Sequence, residues 1–237
     1  MLKKLNIVFL HAALSTSDEL LPLMGMFKEN CNVFTFNFTG HGKSNEFPND
    51  FRIDFFAKEL DQFLSQNGLK DIIVFGHSMG GYVALYHKAH FENSPIKMIF
   101  TYGTKFNWSI SALSKELPSL DPDYVQQKIP QFAKLLAERH GERWKLLLRS
   151  TAHMMQNLQR IDGLTKEDLE EVDIPVFLLL GEQDRMVTQE ETNLTSRWLT
   201  KAQVKIISHS KHEMDKANLK EIYDIMQEAF VYLGKLR

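Results

Sequence analysis

The sequence predicts an α/β fold: a mostly parallel central sheet of about six strands flanked by helices, with an all-helical cap inserted into it. Short apolar runs alternate with longer amphipathic ones, the pattern of strand–helix units around a parallel sheet. Several of these runs are nearly continuous Ile, Val, Leu and Phe, as strands covered on both faces require. One interval, from about Lys105 to Val172, holds helical stretches and polar turns but no convincing strand.

In chain order, strands are expected at Leu5–Leu10, 32–37, 71–76, 97–102, 175–180 and 203–207. Helices are expected at 18–29, 54–66, 79–91, 189–199 and 217–235. Inside the strandless interval, 123–139 and 142–158 show helical periodicity, and His140-Gly141 is the natural stop between them. The division that follows is a core of 1–104 and 172–237 with a cap, 105–171, over the carboxyl edge of the sheet.

At 237 residues the chain fits one domain with a sizeable core, and 43% hydrophobic with 24% charged residues is ordinary for a globular protein. A net charge of -2 argues against a nucleic-acid partner, which calls for an excess of Lys and Arg on one face. Cys31 is the only cysteine, so no internal disulfide forms, and it reads as a small buried hydrophobe. Lys3 and Lys4 precede an apolar run too short for a signal peptide, and no stretch approaches the roughly 18 apolar residues of a membrane span. The expectation is a soluble, cytoplasmic protein acting on a small molecule.

The chemistry starts where the third strand runs into Gly76-His77-Ser78-Met79-Gly80-Gly81 and then into a helix. Gly-x-Ser-x-Gly between strand and helix is a nucleophile elbow. The turn is so tight that side chains at Gly76 and Gly80 would collide with the neighbouring strand and helix. It turns the Ser78 hydroxyl outward at a helix N-terminus, where backbone N–H groups favour negative charge. A serine needs a base, and the base needs an orienting acid. Asp184 follows the fifth strand in Gly181-Glu182-Gln183-Asp184 and is the expected acid; Glu182 lies too early. The loop after the fourth strand, Gly103-Thr104-Lys105-Phe106, offers no carboxylate. After the last strand His209 and His212 compete, and His212, deeper in the loop, is the expected base. An acyl-transfer oxyanion needs two preorganised N–H donors. Met79, after the nucleophile, and Ala13, in the loop after the first strand, are the expected ones.

On these motifs the chain resembles the α/β-hydrolase superfamily, in its helical-cap branch of esterases and related enzymes. The His11-Ala12-Ala13 loop, the Gly40-His41-Gly42-Lys43-Ser44 turn, the elbow, Gly181–Asp184 and His212 fall in family order over essentially the whole length. The resemblance implies a sheet lacking the first two family strands and a serine mechanism that needs no cofactor and no metal. Serine at the elbow disfavours dehalogenase and epoxide-hydrolase chemistry, which uses aspartate there. Ala12 stands where the family usually has glycine, so a positive φ there would add strain. Asn37 replaces a usual acidic residue, and His41 is expected to hydrogen-bond between loops.

The cap would select the substrate. Phe132, Leu135, Leu136, Trp144, Leu147, Leu148, Met154 and Met155 are candidates for an apolar lining, His11 for a contact from the core, and Arg139, Arg143 and Arg149 for a carboxylate. The function that follows is cleavage of a small to medium apolar carboxylic ester by a carboxylesterase or small lipase. Two alternatives keep the same residues: a carbon–carbon bond hydrolase or lyase-type enzyme, and a small-molecule receptor with a slow triad.

Overall fold

A computed structural model describes residues 4–44 and 46–235. Residues 1–3 and 236–237 of the expected core segments, and Asn45, lie outside the described residues. Six strands, β1 (Leu5–Leu10), β2 (Cys31–Thr35), β3 (Ile72–His77), β4 (Ile96–Tyr102), β5 (Val176–Gly181) and β6 (Ala202–Ile207), form one sheet. The order is β2-β1-β3-β4-β5-β6 and every pairing is parallel. Ten α-helices are present among the described residues. The core carries α1 (Leu21–Phe27), α2 (Ile53–Gln66) and α3 (Met79–His90) before the cap. Between β4 and β5 lie α4 (Ile110–Glu116), α5 (Pro122–Lys128), α6 (Pro130–His140), α7 (Trp144–Asn157) and α8 (Lys166–Glu170). The core resumes with α9 (Gln189–Ser196) and α10 (Leu219–Lys235).

The period-two alternation of strand side chains divides the core into two layers. Ile7, Phe9, Ile73, Phe75 and Phe100 belong to one apolar cluster with Leu23 and Phe27 of α1 and Ile222 and Met226 of α10. Val8, Leu10, Val74, Ile99 and Leu178 belong to the other, with Phe56 and Leu60 of α2 and Val83 of α3. The α2 helix shows why it packs: Ile53, Phe56, Ala57, Leu60 and Leu64 fall on one face at helical spacing and are buried. Each such Leu or Phe contributes about 1.5–3 kcal/mol by leaving water. The cap has its own cluster of Leu120, Val125, Leu136, Trp144 and Leu148. Its longest helix also faces inward, placing Leu147 and Met154, with Leu158 just past its end, in the α2/α3 cluster. Cap and core thus share apolar packing through α7.

Proline accounts for two departures from the sequence reading. The expected helix 123–139 is two helices, because Pro130 disfavours helical backbone at Ile129, which sits at φ -132, ψ 57. The expected helix 18–29 opens as a 3-10 turn, Ser17–Leu20, and its α-helical part begins at Leu21, with Pro22 confined to the first turn. Strand β2 stops at Thr35 rather than 37, and Asn37 instead accepts a hydrogen bond from Ser17 N at 2.7 Å. Two short cap helices escaped the pattern reading although their caps are present. Ser109 accepts from Ala112 N, and Thr165 with Asp168 forms a capping box.

The topology places the site. β1 pairs with β2 on one side and β3 on the other, so the chain reverses its direction of winding there. Open α/β sheets form their crevice outside the carboxyl ends of strands at such a switch point. The β1 loop and the β3 elbow meet in it. The meeting leaves no room at Gly80, where an added Cβ would lie 2.3 Å from Leu10 O. Gly80→Ala should therefore destabilise the fold by about 3 kcal/mol, since rigid backbone must move. A urea midpoint equal to that of the wild type would contradict this packing.

Candidate active site

Ser78 takes the turn from β3 into α3 with φ 49 and ψ -110, a region where a side-chain-bearing residue is strained. Two contacts hold it there. Its N–H donates to Tyr102 O at 2.8 Å, and Thr104 Oγ1 donates to its carbonyl at 2.9 Å. Both partners come from the end of β4, so the elbow is tied across the sheet edge. Ser78, Met79 and Ala13 line one cavity with Ile53, Tyr82, Lys105, Trp108, Met154, Met155 and Leu158. Its volume is about 30 Å³, room for roughly one water molecule, and Met154 and Met155 of α7 form part of its wall.

The loops after β5 and β6 bring Asp184 and His212 together. His212 Nδ1 donates to Asp184 Oδ2 at 2.8 Å. Asp184 Oδ1 accepts from Met186 N at 2.8 Å and from Val187 N at 2.9 Å. The carboxylate side chain is only 1% exposed, so water hardly screens its charge. Burial alone would raise its pKa; the His212 hydrogen bond and charge, with the two amides, hold it below the usual aspartate value. An ionised Asp184 fixes a proton on Nδ1, so that Nε2 is the ring nitrogen left to exchange a proton. Gly103 is required beside this pair. At φ +61 an added Cβ would lie 3.0 Å from His212 Nδ1 and 3.2 Å from Asp184 Oδ2. The rival candidates are elsewhere: His209 is 88% exposed, and Glu182 accepts from His209 N at 2.9 Å.

A serine held at a strained elbow, with a buried acid–histidine pair supplied by the last two strand loops, invites comparison with known proteins. The sequence profile of the alpha/beta hydrolase fold matches residues 6–143. The chain belongs to the α/β-hydrolase fold family. A curated 2-succinyl-6-hydroxy-2,4-cyclohexadiene-1-carboxylate synthase from Yersinia pestis (strain Pestoides F) is 22% identical, the match covering 77% of this chain and 74% of that protein. Among solved structures, NosK from Streptomyces actuosus has a TM-score of 0.82 at 16% identity, covering 95% of this chain and 97% of that one. A structure from work on carboxylesterases of Nitrososphaera gargenis has a TM-score of 0.78 at 15% identity, over 99% and 93% of the two chains.

In this α/β-hydrolase several expected pocket residues lie outside the cavity wall. His11 is fully buried instead, with Nδ1 donating to Ala12 O at 2.8 Å and Nε2 accepting from Phe38 N at 3.1 Å. Burial lowers its pKa to about 4, so it is neutral. Phe132 and Trp144 pack in the cap's own cluster, because α6 and α7 turn those faces toward each other. Arg139, Arg143 and Arg149 are also outside the residues lining the cavity, and Arg149 is exposed. The positive φ expected near Ala12 falls on Leu14, at 60°. His41 does not bridge loops among the described residues; its buried ring nitrogens meet no good hydrogen-bond geometry there, and the backbone near them is that of its own turn, Phe38 and Thr39. His140 does the bridging, with Nδ1 accepting from Gly42 N at 2.9 Å and Nε2 donating to Leu14 O at 3.1 Å. Of the lining residues that the sequence did not suggest, Tyr82 was one helical turn beyond Ser78. Ile53, Lys105, Trp108 and Leu158 come from distant segments that carry no local signature.

The buried histidines give the fold a pH signature. Burial holds His11, His41, His87 and His140 below the ordinary imidazole value of 6.5. The unfolded chain therefore binds protons that the folded chain refuses as pH falls below about 6.5. Stability from these groups is fully present above that value and declines toward about pH 4. Glu19, held at about 2 in the fold, adds its own loss only below the unfolded glutamate value of 4.5. Thermal melting should fall between about pH 7 and pH 5, before most carboxylates protonate. A flat profile across that window would contradict the buried neutral assignment.

Proposed function

We propose that this α/β-hydrolase is a serine esterase that cleaves small to medium apolar carboxylic esters through an acyl-enzyme. Two observations support the reading: a buried Asp184–His212 hydrogen bond on the loops after β5 and β6, and a strained Ser78 that lines an apolar crevice. In this mechanism Ser78 attacks the carbonyl carbon and His212 Nε2 takes its proton. Asp184 orients the ring and stabilises the imidazolium. The N–H groups of Met79 and Ala13 receive the oxyanion. His212 then protonates the leaving alkoxide, and a water activated by the same ring releases the acid. The helical segment 105–171 acts as the lid that selects the acyl group. Substrate entry needs Met154 and Met155 to change rotamer or α7 to lift, and flexible thioethers suit that task.

A second reading, carbon–carbon cleavage or lyase-type chemistry with the same triad, is favoured by the likeness to the Yersinia synthase, whose name specifies a carboxylate. The crevice speaks for the ester. Among the described residues lining it the cation is Lys105, and that charge is already engaged. Its Nζ donates to Met186 O at 2.8 Å and lies 3.6 Å from Glu116 and 3.8 Å from Glu191. A dianionic substrate would have to displace those partners. Among the described residues no helix is long and apolar enough to cross a membrane. With a single, buried Cys31 suited to a reducing compartment, we assign the activity to the cytoplasm.

Ser78→Ala should abolish p-nitrophenyl butyrate turnover while leaving the circular dichroism and melting unchanged. Asp184→Asn should lower kcat by about 10⁴-fold through loss of the correct tautomer. Undiminished turnover in a folded Ser78→Ala protein would overturn the mechanism. Met154→Ala with Met155→Ala should shift preference toward longer acyl chains, and diketone cleavage exceeding ester cleavage in the wild type would favour the second reading.

A further inference from the structure

The residue before the nucleophile is used for something other than its backbone. His77 is 3% exposed at the end of β3, and both of its ring nitrogens face acceptors. Nε2 lies 2.9 Å from the carbonyl oxygen of His212, which can only accept, so Nε2 carries a proton. Nδ1 lies 2.9 Å from Glu19 Oε1. Both Glu19 oxygens are already receiving protons: Oε1 accepts from Ala12 N at 2.7 Å, and Oε2 accepts from Ser15 Oγ at 2.7 Å. Three hydrogen-bond partners crowd this one carboxyl group, two of them fixed donors; that setting favours the ionised form, and the nitrogen facing a carboxylate is a donor.

We propose that Glu19 and His77 form a buried carboxylate–imidazolium clamp that positions the two halves of the active site on each other. Glu19 holds the loop that carries Ala13 through Ala12 and Ser15. His77 holds the loop that carries His212 through the His212 carbonyl. The pair spans from the oxyanion side to the base side, directly behind Ser78. His77 and Glu19 are positioning residues: neither lines the Ser78 cavity. The inference rests on Ser78 and His212 being nucleophile and base, although the charge state of the pair does not.

The surroundings are consistent with a charged His77. Burial alone would lower its pKa, but the Glu19 charge and hydrogen bond, the His212 carbonyl and the charge of Asp184 override it, and the pKa is raised. Burial would raise that of Glu19, yet His77 and the two loop donors hold it at about 2. The other groups facing His77 are the His212 ring at 5.3 Å, the Tyr102 ring at 5.7 Å and His11, which is neutral. The pH dependence has a definite sign. The clamp is intact below the raised His77 pKa and fails as pH rises through it, when one ring nitrogen stops donating.

The direct test is nitrogen NMR of histidine-labelled protein at about pH 6.5, the ordinary imidazole pKa, where an unperturbed ring is only half protonated. Both His77 ring nitrogens should have the shifts of protonated nitrogen, assigned by their disappearance in His77→Asn. If that variant does not fold, Glu19→Gln should convert the same resonances to a neutral tautomer and serves as the assignment. One unprotonated His77 nitrogen in the wild type would overturn the clamp. For its role, Glu19→Gln should lower kcat for a p-nitrophenyl ester by about 10²-fold with KM little changed, the scale expected of a small misplacement of reacting groups. It should also move the alkaline limb of the kcat profile to lower pH. A uniform loss with an unmoved limb would reduce Glu19 to ordinary packing and overturn the positioning role. A wild type without any esterase activity would remove the proposed reaction, while the NMR result would still decide the charged pair.

Discussion

The geometry of this protein depends on how closely the start of α3 approaches the strands β1 and β3. At Gly76 an added Cβ would sit 2.3 Å from the backbone of Gly81, and at Gly80 it would sit equally close to Leu10. No side chain fits either place, so the chain leaves β3 through one sharp residue. That residue is Ser78, forced to positive φ. The strain is sustained by packing on both sides and by the Tyr102 and Thr104 hydrogen bonds from β4. The same close approach lays the loop after β1 alongside Ser78, so that Ala13 and Met79 line one cavity with it. The strained turn at Ser78 and the placing of the Ala13 loop against it thus follow from one steric condition.

The second condition is electrostatic. Buried charges are costly unless paired and hydrogen-bonded, and here each buried carboxylate of the site has several donors. Asp184 has His212 and two amides; Glu19 has His77, an amide and a hydroxyl. The neighbouring histidines His11 and His140 remain neutral and serve as braces, each with one nitrogen donating and the other accepting. Through His140 the cap reaches both the Gly42 turn and the carbonyl of Leu14, so cap position and loop shape are mechanically connected. His41, between them, packs its ring against the rings of His11 and His140.

Much of this was legible in the sequence because it is encoded locally. Continuous apolar runs located all six strands, since a parallel sheet buries both faces. The glycine spacing marked the elbow, and the strand ends marked where Asp184 and His212 would emerge. Where the reading went astray, local signals conflicted. Apolar periodicity runs across Pro130, and it hid the break that proline imposes at Ile129. Phe132 and Trp144 have the chemistry of a pocket but sit on helix faces turned into the cap. The bonds of Glu19 to His77 and of His77 to His212 join residues 58 and 135 positions apart, and no short pattern announces such pairs.

The proposed reaction requires Ser78 to be an activated nucleophile whose reactivity comes from His212. Labelling with a fluorophosphonate probe, followed by mass spectrometry of the modified peptide, tests it most directly. The label should fall on the peptide containing Ser78 and should be lost in His212→Ala. Folded wild-type protein that takes no label, or takes it equally without His212, would contradict the account.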